Sequence, residues 1–531
     1  MYTARSLPLR LALSATLACL AGSTVHAQST DITQTPNVVK AGIKKSLVDE
    51  IGAGRGDVYT PHSSVFIISR DPFRAVARGR QLFQRKFTDA QGIGPRKNDG
   101  IGDIAADAAI GAGLSDSCAS CHGRPQGAAG AGGDVFTRPE SRDAPHLFGL
   151  GLIEMLADEI TADLRAQVAA GVTKAGFAQK TVRVVLVSKG IEFGTVAAHA
   201  DGTIDTSLLV GVDADLRVKP FFAQGGVFSM REFLVGALNA EMGLQAFDPD
   251  LRDAALGLDV VTPSGMHLTG SLDSIGASPA ADINDDPDKD GITNEVPTAL
   301  VDYLEFYLLN YFTPGLDEQT DSARAGLKTM KSIGCTACHV QNLTLDHDRR
   351  VARVNSVWDP AQANGVFSHL FATATPLHAL LDDGSGFPPL QPALGGHQLV
   401  RNVFADFRRH DLGPAFKERN FDGTFQTQFM TEPLWGVGST APYGHDGRSA
   451  TLDDVILRHG GEAQLARDRF AELDKAEQDE VLDFLNTLVL FSPPYTASNL
   501  APAHTDDPQF PITGAGSIDL SVLFVDPADK E

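Results

Sequence analysis

The chain has 531 residues, 43% of them hydrophobic, which is enough apolar material for two or more cored domains. Its 67 acidic residues outweigh 44 basic ones, for a formal net charge of -23. That balance repels phosphate backbones, so it argues against nucleic acid and for a small basic protein as partner.

In chain order, residues 1–27 read as a secretory signal. Arg5 and Arg10 flank the start of an apolar run over 11–21, and Val25 and Ala27 mark a cut after Ala27. The run is too short to span a bilayer, and no other stretch does so. A lipoprotein reading through Cys19 is weaker, because Thr16 stands where an aliphatic residue is expected. The mature chain is therefore expected in the periplasm, without a membrane span.

Four cysteines remain after Cys19 leaves: Cys118, Cys121, Cys335 and Cys338, within "SCASCH" (117–122) and "GCTACH" (334–339). Two disulfides or one four-thiolate zinc site would use the same four thiols. Neither requires a histidine directly after the second cysteine of both pairs. Covalent haem c attachment does: each thiol bonds a vinyl group, and His122 or His339 ligates the iron.

The halves repeat beyond these pentads. "APHLFGLG" (144–151) is answered by "EPLWGVG" (432–438), and "KPFFAQGGVFSMREF" (219–233) by "APYGHDGRSATLDDV" (441–455). Pro220 matches Pro442, Phe221 matches Tyr443, Gly225 matches Gly447 and Ser229 matches Thr451. Two copies indicate a duplicated domain rather than a solenoid. In the first half a β-branched, Gly-punctuated insertion at about 165–219, including "TVRVVLVSKGIEFGTVAAHADGTIDTSLLVG", predicts a small hairpin or sheet. Most other periodic stretches, such as "DYLEFYLLNYF" and "DEVLDFLNTLVLF", read as helix.

Residues 262–298, rich in Gly, Ser and Asp, read as a linker. Within it Asp286, Asp288 and Asp290 resemble the start of a calcium loop, but Pro297 stands where the closing glutamate belongs. An acidic solvated turn accounts for them as well. Residues 493–531 form a Pro-rich tail.

The two haem sites are expected to differ. In "TLDDVILRHGG" (451–461), Thr451 is an N-cap and the glycines end the helix. Leu452, Val455 and Ile456 form an apolar stripe, and His459 takes its next slot. A histidine there is either a hydrogen-bonded core residue or the sixth ligand of the second iron. The equivalent helix in the first half, "SMREFLVGALNAEMG", holds Ala237 in that slot, with Glu241 one turn further along the same face. Glu241 is either a helix-end glutamate turned to solvent or a proton-transfer group for peroxide cleavage at an open iron. His146, Met155, His199 and Met242 are the residues that could close the first iron instead.

The segments "SCASCH", "LFGLGLIE", "NAEMG", "GCTACH", "PLWGVG", "APYGHDGR" and "LRHGGEA" together resemble the bacterial di-haem cytochrome c peroxidase superfamily. They are most similar to its branch of di-haem oxidoreductases, also called thiol oxidoreductases. The resemblance implies a mainly α fold: two tandem cytochrome-c-like haem domains, at 28–261 and 299–492, with the small β-rich insertion in the first. It implies a peroxidatic N-terminal haem and an electron-accepting C-terminal one. The glutamate of the family's "EM" pair is the acid/base residue and corresponds to Glu241. The distal ligand, fourteen residues beyond the "HDG" histidine, corresponds to His459 where relatives have methionine or tyrosine, so the chain departs toward a bis-His, lower-potential site. A calcium ion between the haems would be held by backbone oxygens of Thr440 and Pro442 and by Asp143, with Trp435 lining the inter-haem region. The family's "HDMG" is "HDLG" here (410–413), and no histidine lies between His122 and His146 where the peroxidases place a removable one.

The expected function is that of an exported enzyme carrying two covalent haems c, and calcium if its site is filled. It would take electrons from a small c-type cytochrome or cupredoxin and reduce peroxide. An oxidase that modifies a partner's side chain, and a plain di-haem electron carrier, are the alternatives.

Overall fold

A computed structural model describes residues 47–85, 87, 118, 122, 133–134, 142–287, 289, 291, 293–358, 370–380, 390–392, 397–420, 422–490 and 517–518. The signal segment, Cys121, Asp288, Asp290 and nearly all of the tail lie outside them.

The helices are α1 (Leu47–Ile51), α2 (Ser64–Arg70), α3 (Pro72–Gln84), α4 (Leu150–Ala178), α5 (Met230–Met242), α6 (Pro249–Ala255), α7 (Thr298–Leu309), α8 (Asp321–Ile333), α9 (Leu452–Arg458), α10 (Gln464–Glu472) and α11 (Lys475–Asn486). Their starts follow local chemistry. Asp71 caps α3, with Pro72 in the first turn, and Thr320 caps α8. At α11, Asp474 and Glu477 close a reciprocal capping box.

Two helix pairs organise the molecule. Each pentad is preceded by a helix, α3 or α8, that crosses a closing helix, α7 or α11. Both crossings run backbone against backbone through a glycine. A Cβ on Gly79 would lie 2.2 Å from the Tyr303 carbonyl oxygen, and one on Gly326 would lie 1.8 Å from that of Glu480. The next turn of each repeat abuts the end of the same closing helix, Gly151 against Leu309 and Gly438 against Asn486.

The closing helix of the first pair lies at an expected boundary. A second domain beginning at 299 would own α7, yet α7 packs on α2, α3 and α5. The physical bond is ionic. Arg231 on α5 is fully buried and donates to Asp248 at 2.9 Å, Asp302 at 3.0 Å and Glu305 at 2.8 Å, the last two on α7. The expected linker is packed too. Its short strand His267–Thr269 pairs with Asp259–Val261, and Met266, Leu268, Ala280 and Val296 are buried.

The insertion forms a three-stranded antiparallel meander, β1 (Val182–Ser188), β2 (Ile191–Ala198) and β3 (Ile204–Leu209). Leu186, Phe193, Val196 and Ala198 face the core beside α4. Helix α4 itself occupies the first part of the expected insertion. The expected mainly α chain is in fact mixed, because small sheets also run through the second repeat. Leu343–Leu345 pairs with Gln398–Val400, and Arg409–Asp411 with Gln428–Met430. Strands of three residues carry too little alternation to register in the sequence.

Candidate haem centres

The repeat deduced from sequence is also a repeat of local structure. Phe221 bridges Val227 as Tyr443 bridges Ser449, with backbone bonds of 3.2 and 2.8 Å. Gly225 (φ 68°) and Gly447 (φ 61°) make the same left-handed turn. The loops then end in matched N-caps: Ser229 accepts from the Glu232 amide, and Thr451 from the Asp454 amide.

At the second centre, α8 stops at Gly334 (φ 103°), and Cys335–Ala337 forms a single tight turn. Cys335 and Cys338 are half-buried. His339 Nδ1 donates to the Phe404 carbonyl at 2.9 Å, which leaves Nε2 with its lone pair. His459 is the C-cap of α9 rather than a residue inside it, and its Nδ1 donates to the Val455 carbonyl at 2.7 Å. Burial lowers the pKa of both, that of His459 to about 4 with a further reduction from nearby His339, so both rings are neutral. Phe416 packs edge-on against His459, with ring centroids 5.2 Å apart. Two neutral imidazoles, each oriented by a backbone carbonyl, are what axial ligation of one iron requires.

At the first centre, His122 Nδ1 donates to the Pro145 carbonyl at 2.7 Å, and burial lowers its pKa. Cys118 is half-buried. On α5, Ala237 and Glu241 lie one turn apart and both are half-buried, flanked by buried Leu234 and Leu238. Of the residues considered as alternative ligands, His146 has both nitrogens engaged: Nδ1 accepts from the Phe148 amide at 3.1 Å and Nε2 donates to the Trp435 carbonyl at 2.7 Å. The Met155 sulfur takes the Arg349 amide at 3.1 Å, and His199 pairs with Thr181 at 2.9 Å in the insertion. Met242 is buried at the end of α5.

The two repeats meet around Trp435 and Asp143. Trp435 is buried, its Nε1 donates to the Arg401 carbonyl at 3.1 Å, and its ring lies against Gly149 of the first repeat. Nearby, the Asp143 amide donates to the His445 carbonyl at 3.0 Å, which brings Asp143 beside Pro442 and Gly447. Burial pushes the Asp143 carboxyl up to about 6. A desolvated carboxylate in that position suits a cation. In the linker, Asp286 accepts from the Gly291 amide at 3.0 Å.

One group escaped the sequence reading. His410 is buried, with Nε2 2.9 Å from Asp406 and Nδ1 2.8 Å from Glu462. Burial opposes its charge, but hydrogen bonds to Asp406 and to the Cys338 sulfur outweigh it and raise its pKa to about 10. One of its ring nitrogens, an Asp406 oxygen and the Cys338 sulfur lie within 4.8 Å of one another. The available signal was the D-x-x-x-H spacing in "DFRRH", which no motif distinguishes from a solvated charge run.

Among known proteins, residues 363–488 match the family described as "Di-haem oxidoreductase, putative peroxidase". That bears out the resemblance carried by the sequence motifs. The chain is similar to a MauG-like protein associated with microbial copper homeostasis, at 13% identity over 83% of this chain and 92% of that one, with a TM-score of 0.31. It is also similar to hydrazine synthase of Kuenenia stuttgartiensis, at 15% identity over 37% of this chain, with a TM-score of 0.22. The chain spans 57% of that hydrazine synthase chain. Both superpositions are too loose to transfer a fold or an activity. No curated protein matches the chain. No helix among the described residues is long and apolar enough to cross a membrane.

Proposed function

We propose that this chain, which carries the di-haem oxidoreductase module, is an exported di-haem c peroxidase that draws electrons from a small basic cytochrome or cupredoxin. The observation that carries the reading is the asymmetry between two otherwise matched repeats. The second sets His459 near His339, with both Nδ1 atoms tied to carbonyls, and the first has Ala237 in the slot that His459 fills. Two haems, when bound, supply electron transfer at the second centre and peroxide reduction at the first.

The chain's own residues divide that work. Cys118, Cys121, Cys335 and Cys338 would tether the two haems, and His122 and His339 would ligate iron through Nε2. His459, with Nδ1 tied to the Val455 carbonyl, would supply Nε2 as a further ligand to the second haem when that group is bound. Glu241, one turn beyond Ala237, would serve as the acid/base group, accepting a proton from peroxide and giving it back to the leaving oxygen. Asp143, with backbone oxygens of Thr440 and Pro442, would hold a calcium ion where the repeats touch.

The test is spectroscopic and kinetic. One high-spin and one low-spin haem, with fast bleaching by peroxide at the first, are expected. Two saturated low-spin centres that ignore peroxide and cyanide would leave only an electron carrier.

A further inference from the structure

We propose that His410 and Glu462 are positioning residues that hold His459 on the second iron, so that one strap, residues 404–413, grips both axial histidines of that centre. The inference rests on the reading of His459 as sixth ligand.

His459 needs outside support. It caps a helix of seven residues and is followed by Gly460 and Gly461, a pair that imposes little conformation of its own. The strap supplies the constraint. The Gly460 amide donates to the Leu412 carbonyl at 2.9 Å, and the backbones close in further at Gly461, where a Cβ would lie 2.1 Å from the Asp411 carbonyl oxygen. One carboxylate oxygen of Glu462 accepts the Asp411 amide at 3.0 Å, and the other meets His410 Nδ1 at 2.8 Å.

His410 is anchored in turn. Its Nε2 lies 2.9 Å from Asp406, which is fully buried and also accepts from the Arg408 amide at 3.0 Å and its Nε at 2.9 Å. The near end of the strap reaches the proximal side of the same centre. The Phe404 carbonyl accepts His339 Nδ1 at 2.9 Å, and the Ala405 amide donates to the Val340 carbonyl at 3.2 Å. A buried imidazole between two carboxylates is costly to desolvate and is stable only in one geometry. Here that geometry fixes the strap, whose Phe404 carbonyl orients His339, against the segment that carries His459.

The experiment uses the holoprotein with both haems attached. It compares wild type with Glu462→Ala, Glu462→Gln, His410→Gln and His459→Ala. The low-spin signature of the second haem is read by electron paramagnetic resonance, together with its midpoint potential and its carbon monoxide affinity when reduced. Thermal unfolding is followed in parallel. His459→Ala is expected to make the second haem high-spin. Glu462→Ala and His410→Gln should give a mixture of spin states and raise carbon monoxide affinity there about tenfold, as expected for loss of one charge-assisted hydrogen bond. Glu462→Gln, which keeps an acceptor for the Asp411 amide, should recover most of the wild-type spectrum. Wild-type spin state and affinity in both Glu462→Ala and His410→Gln, alongside a high-spin His459→Ala, would overturn the positioning role alone. A low-spin second haem in His459→Ala would overturn the ligand reading, and this inference with it.

Discussion

The residue with the sharpest assigned task is Glu241. Replacement by glutamine keeps its size and removes its ability to take a proton, so peroxide turnover should fall by about 10²–10⁴-fold. Haem spectra should stay as in wild type. An unchanged stopped-flow rate of peroxide bleaching would remove it from the mechanism. Asp143 gives a second residue-scale expectation, with a defined sign. Its folded pKa, about 6, lies above the ordinary 3.8 because burial disfavours its charge. The folded state therefore holds a proton that the unfolded state releases, and stability is full below the ordinary value and declines as pH rises toward 6. In chelator, melting temperature should drop between pH 4 and pH 7, and Asp143→Asn should flatten that drop. Added calcium should restore wild type at pH 7 and leave Asp143→Asn unmoved.

Among the elements, the two helix crossings are the least tolerant contacts. A methyl group at Gly326 would overlap the Glu480 carbonyl, and the helices have to part to admit it. Gly326→Ala should destabilise by about 1–3 kcal/mol in denaturant titration, the usual cost of overpacking. The control lies on α4, where Gly176 has open space around its Cβ position. Gly176→Ala should stabilise by up to about 1 kcal/mol through helix propensity. Equal effects of the two substitutions would mean that the crossing is not a close contact. The capped helices α5 and α9 were legible at this scale because capping is local. Ser229 and Thr451 announce their helices within four residues. The end of α9 was less legible: the sequence pattern carries His459 inside the helix, while the structure turns the chain at that residue.

Across the whole molecule, α7 decides where one repeat ends. Its buried Asp302 and Glu305 share Arg231 with Asp248, so Arg231→Met would strand carboxylates in the core. Removing one partner of such a buried set costs about 3–5 kcal/mol, measurable as a shift in denaturation midpoint. A cost below 1 kcal/mol would place α7 outside the first repeat's cooperative unit. The likeness of the repeats was readable because each equivalent stretch is short and internally defined: a pentad, a left-handed glycine turn, a capped helix start. The residues proposed to bind haem follow the same rule, since C-x-x-C-H is one short stretch of chain whose spacing alone suggests the chemistry. The packing of α7 on the first repeat and the strap joining His339 to His459 were not readable. Each depends on groups dozens to hundreds of residues apart. Sequence periodicity records which side of an element is buried and not what it is buried against, so these contacts exist only once the backbone has closed around the centres.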